Sequence, residues 1–96
     1  MLFGNINRGL AEYRSTPNAV LVDVRERDEY SAGHIPGAVN APLSEIAAAE
    51  FPKDKMLFLY CLRGTRSKRA AAILKKRGYT VKSIGGISGY KGKLSK

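Results

Sequence analysis

The only cysteine of the chain lies where an apolar run gives way to a short basic loop. In the segment LFLYCLRGTRSKRAAAILKK, which begins at Leu57, the apolar run ends at Cys61 and an amphipathic run starts at Ser67. If the first run is a strand and the second a helix, the N–H groups of the loop and of the helix's first turn converge on one place and bind an anion there. Such surroundings also favour the thiolate of a cysteine, which is its nucleophilic form. The spacing therefore indicates a small-anion site in which Cys61 is the nucleophile.

The residues of the loop support that interpretation. Arg63 and Arg66 add two positive charges, and Gly64 allows a sharp turn with close backbone approach. A free cysteine in an apolar strand is commonly a buried hydrophobe without a chemical role. Such a cysteine needs no anion-binding groups around it, so we expect Cys61 to be catalytic.

Flanking elements must hold this loop, and the pattern of the chain predicts an α/β domain. The strand candidates are two apolar runs without strict alternation and two weaker segments, at residues 19–24, 56–62, 38–42 and 80–84. The helix candidates, which end near Gly or Pro, are residues 8–15, 26–32, 43–51 and 67–77. Alternating strands and helices favour a parallel sheet, in which ligands bind outside the carboxyl ends of the strands. Cys61 lies at such an end.

Size and charge limit the classes of protein to consider. A chain of 96 residues is long enough for one core and is expected to form one domain, residues 1–96. Its 17 Lys and Arg against 8 Asp and Glu give a net charge of +9, which attracts anions such as small substrates or acidic proteins. One cysteine and one histidine provide neither an internal disulfide nor a zinc site, and we expect no metal and no cofactor.

The sequence also predicts where the protein is found. The opening MLFGNINRGLAEYRS lacks the basic start and continuous apolar core of a secretory signal. The longest apolar run, residues 56–62, is too short to cross a bilayer. We therefore expect a cytoplasmic protein that does not associate with membranes.

Three segments together resemble a single-domain rhodanese, a sulfurtransferase: VLVDVRERDEYSAGHIPGAVNAP, LFLYCLRGTRSKRAAAILKKRGY and SIGGISGY. The resemblance extends from about Val20 to Tyr90 and includes the Asp-Val-Arg end of a strand, a GHIPGA turn and the Cys61 loop. It implies an α/β fold, a small open parallel sheet with helices on both faces in a single domain. The pair Gly85-Gly86 is expected to make a tight turn into a last short helix.

The resemblance also implies a two-step transfer of sulfur through a covalent intermediate. The Cys61 thiolate would take the outer sulfur of thiosulfate, or of a persulfide donor, and hold it as a persulfide. A thiol, such as that of a thioredoxin-like protein, or cyanide would then remove it. Amides of the loop would stabilise the persulfide, the arginines would hold the donor's sulfonate, and a hydroxyl would add a hydrogen bond. The substrate-binding residues expected on this basis are Leu62, Arg63, Gly64, Thr65, Arg66 and Ser67.

Other residues that could do chemistry receive structural roles from the resemblance. His34, the only histidine, belongs to the GHIPGA turn, so a Cys–His catalytic pair is not expected. Asp23 and Arg25 are expected to lie beneath the site, in a buried pair with Glu29 or with backbone amides.

Three other functions share some of these sequence features. A dedicated persulfide carrier shares the first half-reaction but turns over poorly with small acceptors. A cysteine-dependent phosphatase or arsenate reductase also holds an oxyanion above a thiolate. Such enzymes generally place five residues between cysteine and arginine, whereas four lie between Cys61 and Arg66. Nucleic-acid binding is suggested by charge alone, without a binding motif, and is not expected.

Overall fold

The computed structural model describes residues 5–96 and shows helices packed on both faces of a four-stranded sheet. In chain order the elements are α1 (Ile6–Arg14), β1 (Ala19–Asp23), α2 (Arg27–Ala32), β2 (Val39–Asn40), β3 (Met56–Cys61), α3 (Thr65–Lys76) and β4 (Thr80–Gly86). Single turns of 3₁₀ helix lie at Leu43–Glu45 and Ile87–Gly89. Residues 1–4, which belong to the expected domain 1–96 and to the segment considered as a secretory signal, lie outside the described residues. Within residues 5–96, no helix is long and apolar enough to cross a membrane.

All four strands run parallel, in the order β2-β1-β3-β4. This confirms the expected small open parallel sheet, and each predicted strand overlaps an observed one. The central strands β1 and β3 pair from Ala19↔Met56 to Asp23↔Tyr60. Because the strands are parallel, their carboxyl ends meet at one edge of the sheet. Asp23 and Cys61 both lie at that edge.

Side chains of β3 alternate between two cores, one on each face of the sheet. Leu57, Leu59 and Cys61 point to the core beneath α3, and Phe58 and Tyr60 point to the core beneath α1. The helices contribute their buried faces to these cores, namely Ala70, Ala71 and Leu74 from α3, and Ile6 and Leu10 from α1. Burial on both faces explains why β3 is apolar at every position, and the alternation fixes the face on which the Cys61 sulfur lies.

The prediction of a helix over residues 43–51 is wrong. Only Leu43–Glu45 is helical, as one 3₁₀ turn, and turns follow it. Ile46 is fully buried, whereas Ala47 and Ala48 are exposed, and a short segment forms a helix in water only with support from packing. Arg77 also competes for the backbone, because its Nη1 donates to the carbonyls of Ile46 at 2.9 Å and Ala49 at 2.6 Å.

The prediction of a tight turn at Gly85-Gly86 is also wrong. Both glycines belong to β4, and Gly86 pairs with Cys61 across a register shift that begins after Leu59. Gly85 has φ +108°, a left-handed conformation that suits such an irregularity. A single 3₁₀ turn then follows. The strand therefore reaches the cysteine loop itself, instead of turning away before it.

A buried ion pair lies at the carboxyl end of β1, and Asp23 and Arg25 form it with each other and not with Glu29. The expected pairing with a backbone amide is present, because the Arg25 N–H donates to Asp23 Oδ1 at 2.9 Å. The Arg25 guanidinium donates to both carboxylate oxygens of Asp23, with Nη2···Oδ2 2.7 Å and Nε···Oδ1 3.0 Å. Arg25 Nη2 also donates to the Gly33 carbonyl at 2.7 Å, which ties the strand end to the GHIPGA turn. Burial by itself lowers the pKa of Arg25, but the hydrogen bond and charge of Asp23 outweigh burial and raise it. Glu29 does not join this pair.

We expect Asp23→Asn to destabilise the fold by about 3 kcal/mol, because it leaves the buried Arg25 charge without its counter-ion. The matched control is Glu45→Gln, which breaks the Arg27–Glu45 pair, whose side chains are 63% and 55% exposed. That change should cost less than about 1 kcal/mol. Urea unfolding at pH 7 measures both. Equal losses in the two variants would contradict a stabilising role for the buried pair.

Candidate active site

The Cys61 sulfur lies against the first turn of α3. The residue is 1% exposed. The Gly64 N–H donates to Sγ with an N···S distance of 2.9 Å, and the Ser67 N–H donates to it at 3.4 Å. Ser67 Oγ lies 3.7 Å from the same sulfur. Two backbone N–H groups and one hydroxyl thus converge on a sulfur that is almost removed from water.

The loop between β3 and α3 is shorter than the sequence predicts. Helix α3 begins at Thr65 and not at Ser67, so only residues 62–64 connect the strand to the helix. Gly64 has φ +103°, and its carbonyl accepts the Lys68 N–H at 3.2 Å. Glycine adopts this left-handed conformation without steric penalty, which lets the helix start earlier. The sulfur therefore lies directly at the helix N-terminus, where the partial positive charge of the helix is concentrated.

The backbone of this loop rests on the end of β4. The Ser88 N–H donates to the Leu62 carbonyl at 3.1 Å. A Cβ atom added at Gly86 would lie 2.6 Å from Arg63 Cα and would also collide with the Leu62 carbonyl oxygen. Position 86 thus requires glycine, because the two backbones approach too closely for a methyl group.

Arg66 is held by Glu29 and does not point freely into the site. Its Nη1 and Nη2 donate to the two carboxylate oxygens of Glu29 at 2.7 and 3.1 Å, and each side chain is 31% exposed. Hydrogen bonding by Arg66 lowers the pKa of Glu29 to about 2. The same hydrogen bond is the main cause that raises the pKa of Arg66, and the charge of Cys61 adds to it. One of the two arginines expected to bind a donor is therefore already engaged.

The seven residues predicted for the site lie together. Five of them line a cavity of about 190 Å³ over the cysteine: Cys61, Leu62, Arg63, Thr65 and Arg66. The remaining two, Gly64 and Ser67, contact the sulfur through their amides. Arg63 is exposed and makes no ion pair or hydrogen bond within residues 5–96. The cavity is smaller than the roughly 300 Å³ at which sites for drug-sized ligands begin, so it suits a small anion.

Two residues around the site are not predicted by the sequence. The pattern places Glu29 only in the buried pair beneath the site, although its position three residues after Glu26 is that of a capping box, which the structure shows at the start of α2. Ser83 is the second of these residues. Its hydroxyl lies 2.7 Å from Ser67 Oγ, and no local motif marks it within β4.

His34 has a structural environment. Its ring stacks on that of Tyr30, with centroids 3.7 Å apart, and its Nδ1 lies 2.9 Å from the Tyr30 carbonyl. His34 and Ser95 also exchange backbone hydrogen bonds, so the C-terminal segment packs beside this turn. His34 is not among the residues that line the cysteine cavity. Over the part of the chain that is described, no cluster of three His, Cys, Asp or Glu residues could hold a metal ion.

Comparison with known proteins identifies relatives of this chain. The profile of the rhodanese-like domain matches residues 8–93. The uncharacterised protein YqhL of Bacillus subtilis is 48% identical over 64 residues, covering 65% of this chain and 51% of YqhL. The putative sulfur carrier protein YrkF of the same organism is 36% identical over 77 residues, covering 76% and 42%. The thiosulfate sulfurtransferase PspE of Escherichia coli is 39% identical over 71 residues, covering 69% and 68%.

A structural comparison supports the same grouping. A rhodanese from E. coli, solved with anions, superposes with a TM-score of 0.72 at 31% identity, covering 81% of this chain and 98% of that one. The chain spans about half or less of the length of YqhL and YrkF. The residues matched by the rhodanese-like profile, 8–93, include the cysteine loop.

The contribution of the Glu29–Arg66 pair to stability should depend on pH. The pKa of Glu29 is lower in the folded state than in the unfolded chain, so the stabilisation is full above about pH 5 and is lost as pH falls towards 2. We expect Glu29→Gln to lower the free energy of unfolding by about 1 kcal/mol at pH 7, a value reduced for solvent screening. The difference from wild type should shrink towards pH 3. Asp54→Asn, at an exposed position, is the control, and a Glu29→Gln deficit that stays constant across pH would contradict the assignment.

Proposed function

The chain belongs to the rhodanese family, and on that basis we propose that it transfers a sulfane sulfur through a persulfide on Cys61. The observation that supports this most directly is the set of donors around one sulfur, the Gly64 and Ser67 amides with the Ser67 hydroxyl beside them. A persulfide needs such donors, because its outer sulfur carries a negative charge at neutral pH. The chain contains no second thiol that could take the role.

In the first half-reaction, the sulfur donor is thiosulfate or a persulfide. The Cys61 thiolate attacks the outer sulfur of thiosulfate, a new S–S bond forms to Sγ, and the S–S bond of the donor breaks. The electron pair of the broken bond leaves with sulfite. Helix α3 presents its N-terminal amides at the place where the transferred sulfur arrives, so negative charge is stabilised both before and after the transfer.

In the second half-reaction, an acceptor thiolate or cyanide attacks the outer sulfur of the persulfide. The S–S bond to Cys61 breaks, the thiolate is regenerated, and the acceptor leaves as a persulfide or as thiocyanate. Each half-reaction exchanges one nucleophile for another at the same sulfur, so no external oxidant is needed. No step needs a general base when Cys61 is already ionised, which agrees with the structural placement of His34.

Arg63 is the residue we propose for holding the anionic end of the donor. It lines the cavity and is exposed, whereas Arg66 forms two hydrogen bonds with Glu29. A planar guanidinium can make paired contacts with the oxygens of a sulfonate. Arg66 would instead fix one wall of the cavity and contribute its charge.

For the acceptor we propose an acidic protein that carries a thiol. The net charge of +9 attracts such a partner over long distances. At the mouth of the cavity, Leu62 is 38% exposed beside the charged Arg63, which offers an apolar contact within a basic surface. A thioredoxin-like protein has the required chemistry.

A dedicated sulfur carrier is the second candidate, favoured by the similarity to YrkF over 76% of this chain. Carrier and enzyme share the persulfide and differ in turnover. Steady-state thiocyanate production from thiosulfate and cyanide separates them, since a carrier is loaded once and then releases sulfur slowly to a small acceptor.

Sulfur uptake can be tested by intact-mass measurement after exposure to thiosulfate. Wild type should gain one sulfur atom, cyanide should remove it, and Cys61→Ser should gain none, because no other thiol is present. Circular dichroism of Cys61→Ser shows whether the fold is retained. A wild-type protein that gains no sulfur, or a Cys61→Ser protein that does, would overturn the proposed function.

The role of Arg63 predicts a selective kinetic defect. Arg63→Gln should raise the KM for thiosulfate by roughly tenfold, the low end of the range for a lost hydrogen bond to a charged group. The control is Arg69→Gln, which removes the same charge from an exposed position of α3 outside the cavity. An equal rise in both variants would assign the effect to net charge and not to a contact by Arg63.

A further inference from the structure

The Ser67 hydroxyl lies between three polar groups and has only one proton to give. It is fully buried. Its Oγ is 3.1 Å from the Gly64 carbonyl, 2.7 Å from Ser83 Oγ and 3.7 Å from Cys61 Sγ. Gly64 can only accept through its carbonyl, whereas the other two neighbours can donate or accept. Where the Ser67 proton points therefore depends on the state of the other two groups.

In the thiol state, the Ser67 oxygen can be satisfied by Cys61. The S–H group donates to Ser67 Oγ, and the Ser67 proton goes to the Gly64 carbonyl. Ser83 is not required in this arrangement. The buried Ser67 oxygen then has the Cys61 S–H as its donor, whether or not the Ser83 hydroxyl is present.

In the thiolate state, Cys61 can no longer donate. The Ser67 proton is then best directed to the charged sulfur, and the Ser67 oxygen needs a donor from elsewhere. Among the described residues, the Ser83 hydroxyl is the other group that can provide it. A buried acceptor without a donor is destabilising, and a donor into Ser67 also strengthens the hydrogen bond that Ser67 makes to the sulfur.

We propose that Ser83 is a positioning residue that favours the thiolate of Cys61 by donating to Ser67. This deepens the proposed function and rests on it, because sulfur transfer requires that thiolate. Ser83 does not contact the sulfur and acts through Ser67. Ser83 is half-buried, and it is also among the residues that line a cleft of about 230 Å³ between α1 and β4.

The charged groups near this chain of hydroxyls do not account for the effect. Arg63 and Arg66 line the cavity over the sulfur, and Glu29 is paired with Arg66. The pKa of Glu29 is lowered to about 2 and that of Arg66 is raised by their hydrogen bond, so this pair keeps its charges across the range in which a thiol titrates. On the cleft side, Lys82 is paired with Glu12 at an N···O distance of 2.6 Å. Arg8 also lines the cleft. A Ser83→Ala change leaves every one of these charges in place.

The test is the rate at which iodoacetamide alkylates Cys61, measured from pH 5 to 10 on the full chain. The single cysteine makes the signal specific, and no sulfur donor is involved. Ser83→Ala should move the midpoint of the profile to higher pH and slow alkylation at pH 6 by about three- to tenfold, the effect of one neutral hydrogen bond. At the alkaline end of the profile, where the rate of each protein no longer rises with pH, the two rates should be equal, because Ser83 affects formation of the thiolate and not its reactivity once formed.

Four further variants make the result specific. Ser83→Thr keeps the hydroxyl and should restore the wild-type profile, and Ser88→Ala, an exposed serine just beyond β4, should not change it. Because Ser83 acts through Ser67, Ser67→Ala and the double variant should have the same profile. A Ser83→Ala profile that matches wild type, or one that is slower by the same factor at every pH, would overturn the proposal. If this shift occurs while wild type takes up no sulfur, the proposed function fails and the role of Ser83 in ionisation stands.

Discussion

The structure depends on how the Cys61 sulfur is held where water hardly reaches it. Backbone amides at the start of α3 take the place of that water, with the Gly64 and Ser67 N–H groups donating to the sulfur. Fixed dipoles of this kind need no reorganisation when charge develops, so they suit the thiolate chemistry that we propose for Cys61. The parallel sheet serves this arrangement, because it delivers the end of β3 and the start of α3 to the same edge.

The charges around the cysteine divide into those that hold the structure and those left for ligands. Asp23 neutralises Arg25 beneath the site, and Glu29 holds Arg66 beside it. Arg63 remains exposed at the mouth. Of the three arginines at and beneath the cysteine, two are thus paired with carboxylates, and Arg63 is the one exposed at the cavity.

How far the fold and the candidate site can be predicted depends on how far apart in the sequence the interacting residues lie. The strand, loop and helix around Cys61 were predicted because their signals are local: an apolar run, a glycine and an amphipathic run. The helix over residues 43–51 failed because Arg77, about thirty residues later, takes its carbonyls. Pairing of Glu29 with Arg66 and contact between Ser67 and Ser83 join separate elements, so no pattern along the chain could reveal them.

The contact between the loop and Gly86 has a consequence for how such sites diversify. Because the loop backbone leaves no space for a methyl group at position 86, the length of the loop and the path of β4 form one matched unit. A residue inserted between Cys61 and Arg66, to widen the cradle for a larger oxyanion, has no space on the side of Gly86 and must extend away from β4. A related protein that keeps this strand can therefore lengthen the loop in that direction alone.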